Sequence, residues 1–246
     1  MAERAAGRSI DLNADAGEDP AALRDGREAA LYLAVTTVNI ACGGHAGDAG
    51  SVCAAVALAA EHGCRVVAHP SYPDRAGFGR CRVAMGESSL AACVQEQVAL
   101  LAEAASAAGL GVPALKPHGA LYHAQCEDES VCRAVAFAAE GRAVVTPRGA
   151  WGERARGWYG LLGTPTVIEG FCDRLSGADG RLAPRGSPGA VLDSPEAAAD
   201  LAAALACDPA VETLCVHGDS AGAAGLALAV RARLERGGVV VRAPGG

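Results

Sequence analysis

The chain has 246 residues, 51% of them apolar, and a formal net charge of -7. The apolar content is enough to bury a large core, whereas the acidic balance and the absence of a basic tract argue against nucleic acid or an anionic membrane as a partner. The first twelve residues, MAERAAGRSIDL, contain no apolar signal core, and no uncharged apolar run is long enough to span a bilayer. We therefore expect a cytoplasmic protein.

Short β-like runs alternate along the chain with longer segments of helical period. Strands are predicted at 9–12, 34–41, 64–68, 112–116, 143–146, 165–169, 212–216 and 238–242. Helices are predicted at 49–62, 88–108, 129–139, 195–206 and 220–236. This alternation predicts a mainly parallel sheet covered by helices, in one domain over residues 1–246. A closed barrel and an open doubly wound sheet both fit it, and the Gly- and Pro-rich segment 172–189 is predicted as one long functional loop.

The motifs of the chain argue against nucleotide-binding loops and against cysteine-based metal or disulfide sites. No G-x-G-x-x-G follows the first predicted strand, and no G-x-x-x-x-G-K-[ST] occurs, so dinucleotide binding and a Walker A phosphate loop are both excluded. The ten cysteines form no C-x-x-C pair and lie mostly in apolar stretches. We predict that they are free thiols in a reducing compartment.

Polar side chains follow almost every predicted strand. In chain order they are Asp11, Asn13, Asp15 and Glu18; Asn39, His45 and Asp48; His69, Asp74 and Arg80; Lys116, His118 and Tyr122; Glu169, Asp173 and Arg174; His217 and Asp219. The set includes four of the six histidines, the only lysine and both asparagines of the chain. In (β/α) barrels the active site is built from the loops after the strands, so we predict that these side chains share one cup.

Some of these residues also have a structural explanation. Asp48 directly precedes a predicted helix and is expected to cap it in part. His62 and His123 lie outside the set and are predicted to be structural. Arg80 and Arg174 lie in Gly-rich loops, where anion binding explains them slightly better than a surface position does.

Two kinds of hydrolytic chemistry fit the cup. Neutral histidines with a carboxylate can bind a divalent ion and acidify a water molecule, and His45, His69 and His118 are the candidate ligands. A metal-free amide hydrolase fits equally well, with an aspartate or histidine as general base and Lys116 stabilising the oxyanion. A serine hydrolase is disfavoured because the chain has no G-x-S-x-G elbow.

Six segments resemble, in order, the motifs of the LamB/YcsF family. They are IDLNADAGE, NIACGGHAGD, AHPSYPDRAGFGR, LKPHGALYH, GFCDR with ADGRLAPRGSPGA, and LCVHGDSAGA, and together they extend over nearly the whole chain. The resemblance implies a TIM-like irregular (β/α)7 barrel of the glycoside hydrolase/deacetylase type. It also implies ATP-dependent opening of the 5-oxoproline lactam to L-glutamate, with separate B- and C-type subunits. Because this chain has no phosphate loop, ATP and its Mg2+ are expected to be bound mainly by those partners, and a homo-oligomer is compatible with the sequence.

The family's functional residues carry over by position onto Asp11, Asn13, Asp15, His45, Asp48, His69, Lys116, His118, Asp173, Arg174, His217 and Asp219. We assign catalysis to Asp15, His45, His69, Lys116 and His118. Substrate binding is assigned to the others, together with Asn39 and Arg80.

The chain departs from the family pattern at two aromatic positions. Gly44 stands where a phenylalanine is common, and Ser176 where a tyrosine is common. We expect both to border the pocket and to enlarge it. The alternatives are therefore an enzyme acting on a larger lactam or cyclic ureide, a stand-alone metal-dependent deacetylase, and a non-catalytic ligand-binding subunit.

Overall fold

The protein was analysed as a computed structural model, which describes residues 5, 7–177, 179–184, 186–218 and 222–244. Strands and helices alternate along these residues. The elements are β1 (Ser9–Ala16), α1 (Pro20–Asp25), α2 (Ala29–Ala34), β2 (Thr37–Ala41), α3 (Ala49–His62), β3 (Arg65–His69), α4 (Glu87–Ala107), β4 (Ala114–Leu115), α5 (Gly119–Ala124), α6 (Glu129–Ala139), β5 (Ala143–Pro147), α7 (Gly149–Leu161), β6 (Thr166–Phe171), α8 (Pro195–Leu205), β7 (Thr213–Val216), α9 (Ala223–Arg236) and β8 (Val240–Val241).

Seven parallel strands close into a barrel. The strands follow the order β2-β3-β4-β5-β6-β7-β1, and β1 pairs again with β2, which completes the ring. The short strand β8 pairs with the first two residues of β1 and lies outside this ring. The expected TIM-like (β/α)7 barrel is therefore confirmed, and closure excludes the open doubly wound sheet.

Local signals in the sequence explain where the helices begin. Asp48 accepts a hydrogen bond from the Ser51 amide and forms a capping box with it at the start of α3. Ser194 caps α8, and Pro195 occupies its first turn. The helices pack their small and branched residues against the outward face of the barrel, where Leu12, Ala14 and Ile40 are fully buried or nearly so.

Helix α7 is not predicted by the sequence, because four of its thirteen residues are glycine, which disfavours helix formation. Tertiary contacts override this preference, since Trp151, Ala155 and Tyr159 of α7 are buried in the core. Gly152 is required for another reason: a Cβ atom there would collide with the Pro147 carbonyl oxygen.

The cysteines behave as expected from their spacing, because all ten are free thiols. No helix in the described part of the chain is both long and apolar enough to cross a membrane.

Candidate active site

Strand β1 provides the floor of the site. Its residues alternate in direction, so Asp11, Asn13 and Asp15 point into the barrel while Leu12 and Ala14 face the helices. Asp11 is the deepest of the three. Burial raises the pKa of its carboxyl group even though hydroxyl groups on β2, β7 and the turn before β2 hydrogen-bond to it. Asp11 is thus a structural part of the barrel floor and does not line either cavity described below.

Lys116 joins the polar groups of the barrel into one network. Its Nζ lies 2.9 Å from Oδ1 of Asp15 and 3.0 Å from Oε1 of Glu169. Burial opposes the charge of the ammonium group, but the attraction of these carboxylates holds the pKa of Lys116 well above its ordinary value. Burial likewise opposes the charge of Asp15, but nearby His69 and Lys116 keep its pKa well below the ordinary value. Asp15 and Lys116 are therefore a charged, buried pair.

The asparagines complete this network. The Asn39 amide nitrogen donates to Oδ1 of Asn13 at 2.7 Å and to Oδ1 of Asp15 at 3.0 Å. Asn13 in turn donates to Thr213 at 2.6 Å and to Glu169 at 3.2 Å. These contacts fix the rotamers of the carboxylates, so both asparagines act on the site through Asp15 and Glu169.

Three histidines and one glutamate form a second cluster beside this network. The His45 and His118 rings stack with centroids 3.7 Å apart, and Nδ1 of His118 lies 3.0 Å from Nε2 of His69. Oε1 of Glu18 lies 3.0 Å from Nε2 of His45, 3.6 Å from Nδ1 of His118 and 3.9 Å from Nε2 of His69. Burial, then the neighbouring imidazoles, lowers the pKa of His45 and of His118, so both rings are neutral at pH 7.

Two backbone carbonyls orient this histidine cluster. Nδ1 of His69 donates to the Lys116 carbonyl at 2.7 Å, and Nε2 of His118 donates to the Phe78 carbonyl at 3.0 Å. The loop that carries Phe78 passes close over the cluster, because at Gly79 a Cβ atom would come within 2.9 Å of His45 and His118. The four side chains Glu18, His45, His69 and His118 present ligand atoms within 4.8 Å of one another and could hold a metal ion.

An aspartate–histidine pair stands across the cup from this cluster. Nδ1 of His217 lies 2.9 Å from Oδ1 of Asp173, and the His217 amide donates to Oδ2 at 3.0 Å. Asp173 is fully buried, and the His217 ring stacks on Phe171 with the centroids 5.2 Å apart. Burial opposes the charge of Asp173, but its contacts with His217 lower the pKa of this carboxyl group. The ionised Asp173 therefore accepts a hydrogen bond from Nδ1 of His217 and fixes the orientation of the ring.

Two cavities meet at the centre of the cup and share Asp15. The first, about 420 Å³, is lined by His69, Lys116, His118, Arg174 and His217, among others. The second, about 590 Å³, is lined by Glu18, Phe78 and the start of α9. Their charges differ. The first cavity is lined by one carboxylate, Asp15, and by four cationic side chains, Arg80, Lys116, Arg174 and Arg181. The second is lined by one cationic side chain, Arg27, and by four carboxylates, Asp15, Glu18, Asp19 and Glu28.

The predicted functional loop forms one side of the first cavity. Two antiparallel bridges, Arg174 with Val191 and Ser176 with Leu182, give this segment a regular shape. The Arg174 side chain supports it by donating to the carbonyls of Ala183 and Ala190. Arg174 thus lines the cavity and positions the loop at the same time.

Several predicted site residues lie outside the cup or outside the described residues. Asp48 is exposed and acts as the helix cap described above. Asp219 lies outside the described residues. The expectation that Gly44 and Ser176 border the pocket is wrong. Gly44 packs against Gln97 and Ser71, Ser176 is exposed, and neither residue lines either of the two cavities described above.

Sequence reasoning places Glu18 and Glu169 after their strands but gives them no role. Glu169 is completely buried and also accepts a hydrogen bond from Tyr122 at 3.0 Å. The signal available was position alone, because Glu18 follows β1 and Glu169 lies in the second half of β6, close to other predicted site residues in the sequence.

A closed parallel barrel with a buried polar cup at the carboxyl ends of its strands defines a barrel protein of the TIM-like class with a site for a small polar ligand. The chain belongs to the LamB/YcsF family, whose model matches residues 10–245. It is 39% identical over 251 residues to a Thermus thermophilus protein named as the A-type subunit of 5-oxoprolinase, covering 95% of this chain and 99% of that one. A protein of the same name from Mycolicibacterium paratuberculosis is 40% identical over 252 residues, covering 95% and 98%.

A solved structure supports the same relationship. The lactam utilization protein from Thermus thermophilus superimposes with a TM-score of 0.84 at 38% identity, over 96% of this chain and 99% of that one. A truncated 3-deoxy-D-arabino-heptulosonate 7-phosphate synthase from Thermotoga maritima, at 11% identity and a TM-score of 0.54, shares the fold alone.

Proposed function

We propose that this protein is the lactam-binding subunit of an ATP-dependent 5-oxoprolinase, a hydrolase that opens 5-oxoproline to L-glutamate with B- and C-type subunits. The relatives that carry the 5-oxoprolinase name supply the starting point. The observation that carries the proposal is the cation-rich first cavity between the histidine cluster and the Asp173–His217 pair. This cavity suits a small molecule that carries both a carboxylate and an amide.

Each side of this cavity would serve a different part of the substrate. The exposed Arg80 and Arg181, together with the buried Arg174, give the first cavity a positive balance that would attract the substrate carboxylate. Lys116, deeper in the cup, would stabilise negative charge on the lactam oxygen, and its two carboxylate partners fix its position. ATP and Mg2+ would reach the site mainly through the partner subunits, since the sequence contains no phosphate loop.

The chemistry requires a proton donor for the ring nitrogen. Transfer of the γ-phosphoryl group to the lactam oxygen releases ADP and makes that oxygen a leaving group. Addition of water to the ring carbon then gives an adduct from which either the nitrogen or the phosphate can leave. Loss of phosphate regenerates the lactam and wastes ATP, whereas loss of the nitrogen opens the ring to an acyl phosphate, which a second water hydrolyses to glutamate and phosphate.

We assign to His217 the choice between these two outcomes. As a base, its Nε2 accepts the proton of the attacking water, and as an acid it returns that proton to the ring nitrogen. Protonation makes the nitrogen the better leaving group, so His217 would couple ATP consumption to ring opening. Asp173 is the positioning residue that keeps Nε2 available.

Reconstitution tests the proposal directly. The purified chain, mixed with B- and C-type subunits, ATP and Mg2+, should form glutamate from 5-oxoproline, and omission of the chain should abolish the product. Turnover of a larger lactam or a cyclic ureide in place of 5-oxoproline would support the first alternative and reject this substrate. Binding of 5-oxoproline without turnover in the complete mixture would support a non-catalytic role.

A stand-alone metal-dependent hydrolase is the second candidate. The cluster of Glu18, His45, His69 and His118 favours it, because a carboxylate with three imidazoles is a common ligand set in metal hydrolases. Hydrolysis of an amide or acetyl substrate by the isolated chain without ATP would establish this alternative.

A further inference from the structure

The four side chains of the histidine–glutamate cluster converge from four separate segments of the chain. His45 follows β2, His69 ends β3, His118 precedes α5, and Glu18 lies in the turn after β1. The three imidazoles are almost fully buried, and the Glu18 side chain is 9% exposed. Burial of four ligand-type groups against one another has a desolvation cost that a hydrophobic cluster would avoid.

The contact between His69 and His118 is the most informative one. Each ring donates its outer N–H group to a backbone carbonyl, His69 to Lys116 and His118 to Phe78. The other nitrogen of each ring faces the other ring, and these two nitrogens lie 3.0 Å apart. With both outer N–H groups engaged, a cation placed between these two nitrogens would give both of them a partner.

We infer that a divalent transition-metal ion occupies this position, bound by Oε1 of Glu18, Nε2 of His45, Nε2 of His69 and Nδ1 of His118. Ligand atoms that share an ion at about 2.1 Å stand roughly 3.0–3.4 Å apart when they are adjacent in its coordination sphere. Three spacings within the cluster, 3.0 Å, 3.0 Å and 3.6 Å, lie in or near this range. The distance of 3.9 Å between Glu18 and His69 is longer, and all four ligand atoms lie within 4.8 Å of one another. The carbonyl groups that hold His69 and His118 correspond to the outer contacts that orient metal-binding imidazoles in proteins.

The ligand set also defines the class of ion. Imidazole nitrogens suit Zn2+, Fe2+, Co2+ and Ni2+, whereas Mg2+ and Ca2+ prefer sites made of oxygen. Three imidazoles and one carboxylate therefore favour a transition-metal ion of intermediate softness over the Mg2+ that accompanies ATP. The site is thus distinct from any magnesium site on the nucleotide.

Its position gives the ion access to both cavities. His69 and His118 line the first cavity, Glu18 lines the second, and Asp15 borders both. Oδ1 of Asp15 lies 3.5 Å from Nε2 of His69, which places a carboxylate beside the metal ligands. Such an ion would supply a Lewis acid for an oxygen of the substrate or for water.

Metal content of the isolated chain tests the inference without substrate or partner subunits, so its result is independent of the proposed function. The probes are Zn2+ for stoichiometry, by elemental analysis, and Co2+ for ligand type, by visible absorption. We expect about one equivalent of Zn2+ in the native chain. His118→Gln and Glu18→Gln should each weaken Zn2+ binding by at least about 10²-fold, the upper end of the loss seen when only an outer contact is removed.

The controls address folding and the cysteines. His62→Gln changes a histidine at the C-terminal end of α3, whose ring lies beside Tyr32 and which is not a member of the cluster, and should keep full metal content. Circular dichroism should show that each variant is folded, and anomalous scattering from zinc-loaded crystals of the native chain should locate the ion at the cluster. A Co2+ spectrum with thiolate charge-transfer bands, unchanged Zn2+ binding in both variants, or a native chain with no saturable site would each overturn the inference.

Discussion

The side chain of His217 and the carboxylate of Asp173 form a two-point contact, with Oδ1 2.9 Å from Nδ1 and Oδ2 accepting from the His217 amide at 3.0 Å. Both the ring and the backbone of the histidine are therefore held by one fully buried carboxylate. Rotation of the ring would break the first bond and deprive Oδ1 of its imidazole partner, which is costly for a buried ionised group. Nε2 of His217 is accordingly fixed toward the first cavity.

Loss of this imidazole should uncouple ATP consumption from product formation. In the reconstituted enzyme, His217→Asn should reduce glutamate formation by roughly 10²-fold or more, the usual contribution of a general acid or base. ADP release should also fall, because water addition loses its base, but it should fall less than glutamate formation, because only ring opening also loses its acid. Parallel measurement of ADP and glutamate checks this, and an equal fall of both would show that His217 does not direct the leaving group.

Asp173→Asn provides a matched test of the positioning role. The amide keeps the size of the carboxylate but favours the wrong tautomer, in which Nε2 of His217 carries the proton. We expect a lower kcat with a nearly unchanged KM and a raised ratio of ADP to glutamate. A variant whose main change is in KM would assign Asp173 and His217 to substrate binding, the role expected from the sequence.

Replacement of Lys116 should affect folding as well as activity. Its ammonium group compensates two buried carboxylates, so Lys116→Ala should cost about 3–5 kcal/mol of unfolding free energy, the usual cost of breaking a buried ion pair. The double variant Lys116→Ala with Glu169→Gln should recover part of that loss, because one uncompensated charge is removed. Urea denaturation measures both, and strictly additive effects would argue against the coupling.

Asp11 and Asp15 should have opposite effects on the pH dependence of stability. The pKa of Asp15 is lowered in the folded state, so its stabilisation is present above about pH 3.9 and is lost as the pH falls through the folded value. The pKa of Asp11 is raised, so its stabilisation is present below about pH 3.9 and is lost as the pH rises through the folded value.

Asparagine variants separate the two effects. The stability of Asp11→Asn relative to the native chain should be higher at pH 7 than at pH 4. Asp15→Asn, by contrast, should lose most stability relative to the native chain near pH 7. Thermal melting at both pH values provides the measurement. The same pH trend in both variants would contradict the opposite directions of the two shifts.

Aromatic residues introduced at positions 44 and 176 should not change which size of substrate the protein prefers. A Cβ atom at Gly44 would collide with both Oε1 of Gln97 and Oγ of Ser71. Gly44→Phe should therefore destabilise the protein by about 1–3 kcal/mol, the usual cost of overpacking. Ser176→Tyr, on the exposed side of the loop, should leave stability and substrate preference unchanged. A shift in preference between 5-oxoproline and a larger lactam in either folded variant would show that these positions do influence the pocket.

Much of the fold follows from periodicity and local signals in the sequence. The caps at Asp48 and Ser194 and the positions of most strands are set by residues close in the chain. Closure of the barrel is not set by residues close in the chain. It depends on the pairing of β1 with both β2 and β7, which the alternation of strands and helices alone cannot predict. Helix α7 escapes prediction for a similar reason, since its core contacts outweigh its glycines.

The same division holds for the cup. His69, Lys116 and His118 could be placed together because parallel strands present their carboxyl ends at one edge. Glu18 could not be assigned to the histidines, since its position depends on the turn that begins at Gly17, where φ is 73°. The prediction for Gly44 is wrong because its neighbour Gln97 is more than fifty residues away and fills the space beside it with an amide paired to the Ser71 backbone.

Phe78 has φ of 54°, a left-handed conformation that an aromatic residue rarely adopts. Its ring lies edge-on to the rings of His45 and His118, and its carbonyl oxygen accepts a hydrogen bond from Nε2 of His118. A glycine at this position would relieve the backbone but remove the ring, and a non-aromatic side chain would keep the strain without the ring contact. Backbone stability and site geometry therefore favour different residues at position 78. A search for more stable variants that ignored the histidine cluster would select against the residue that helps to shape it.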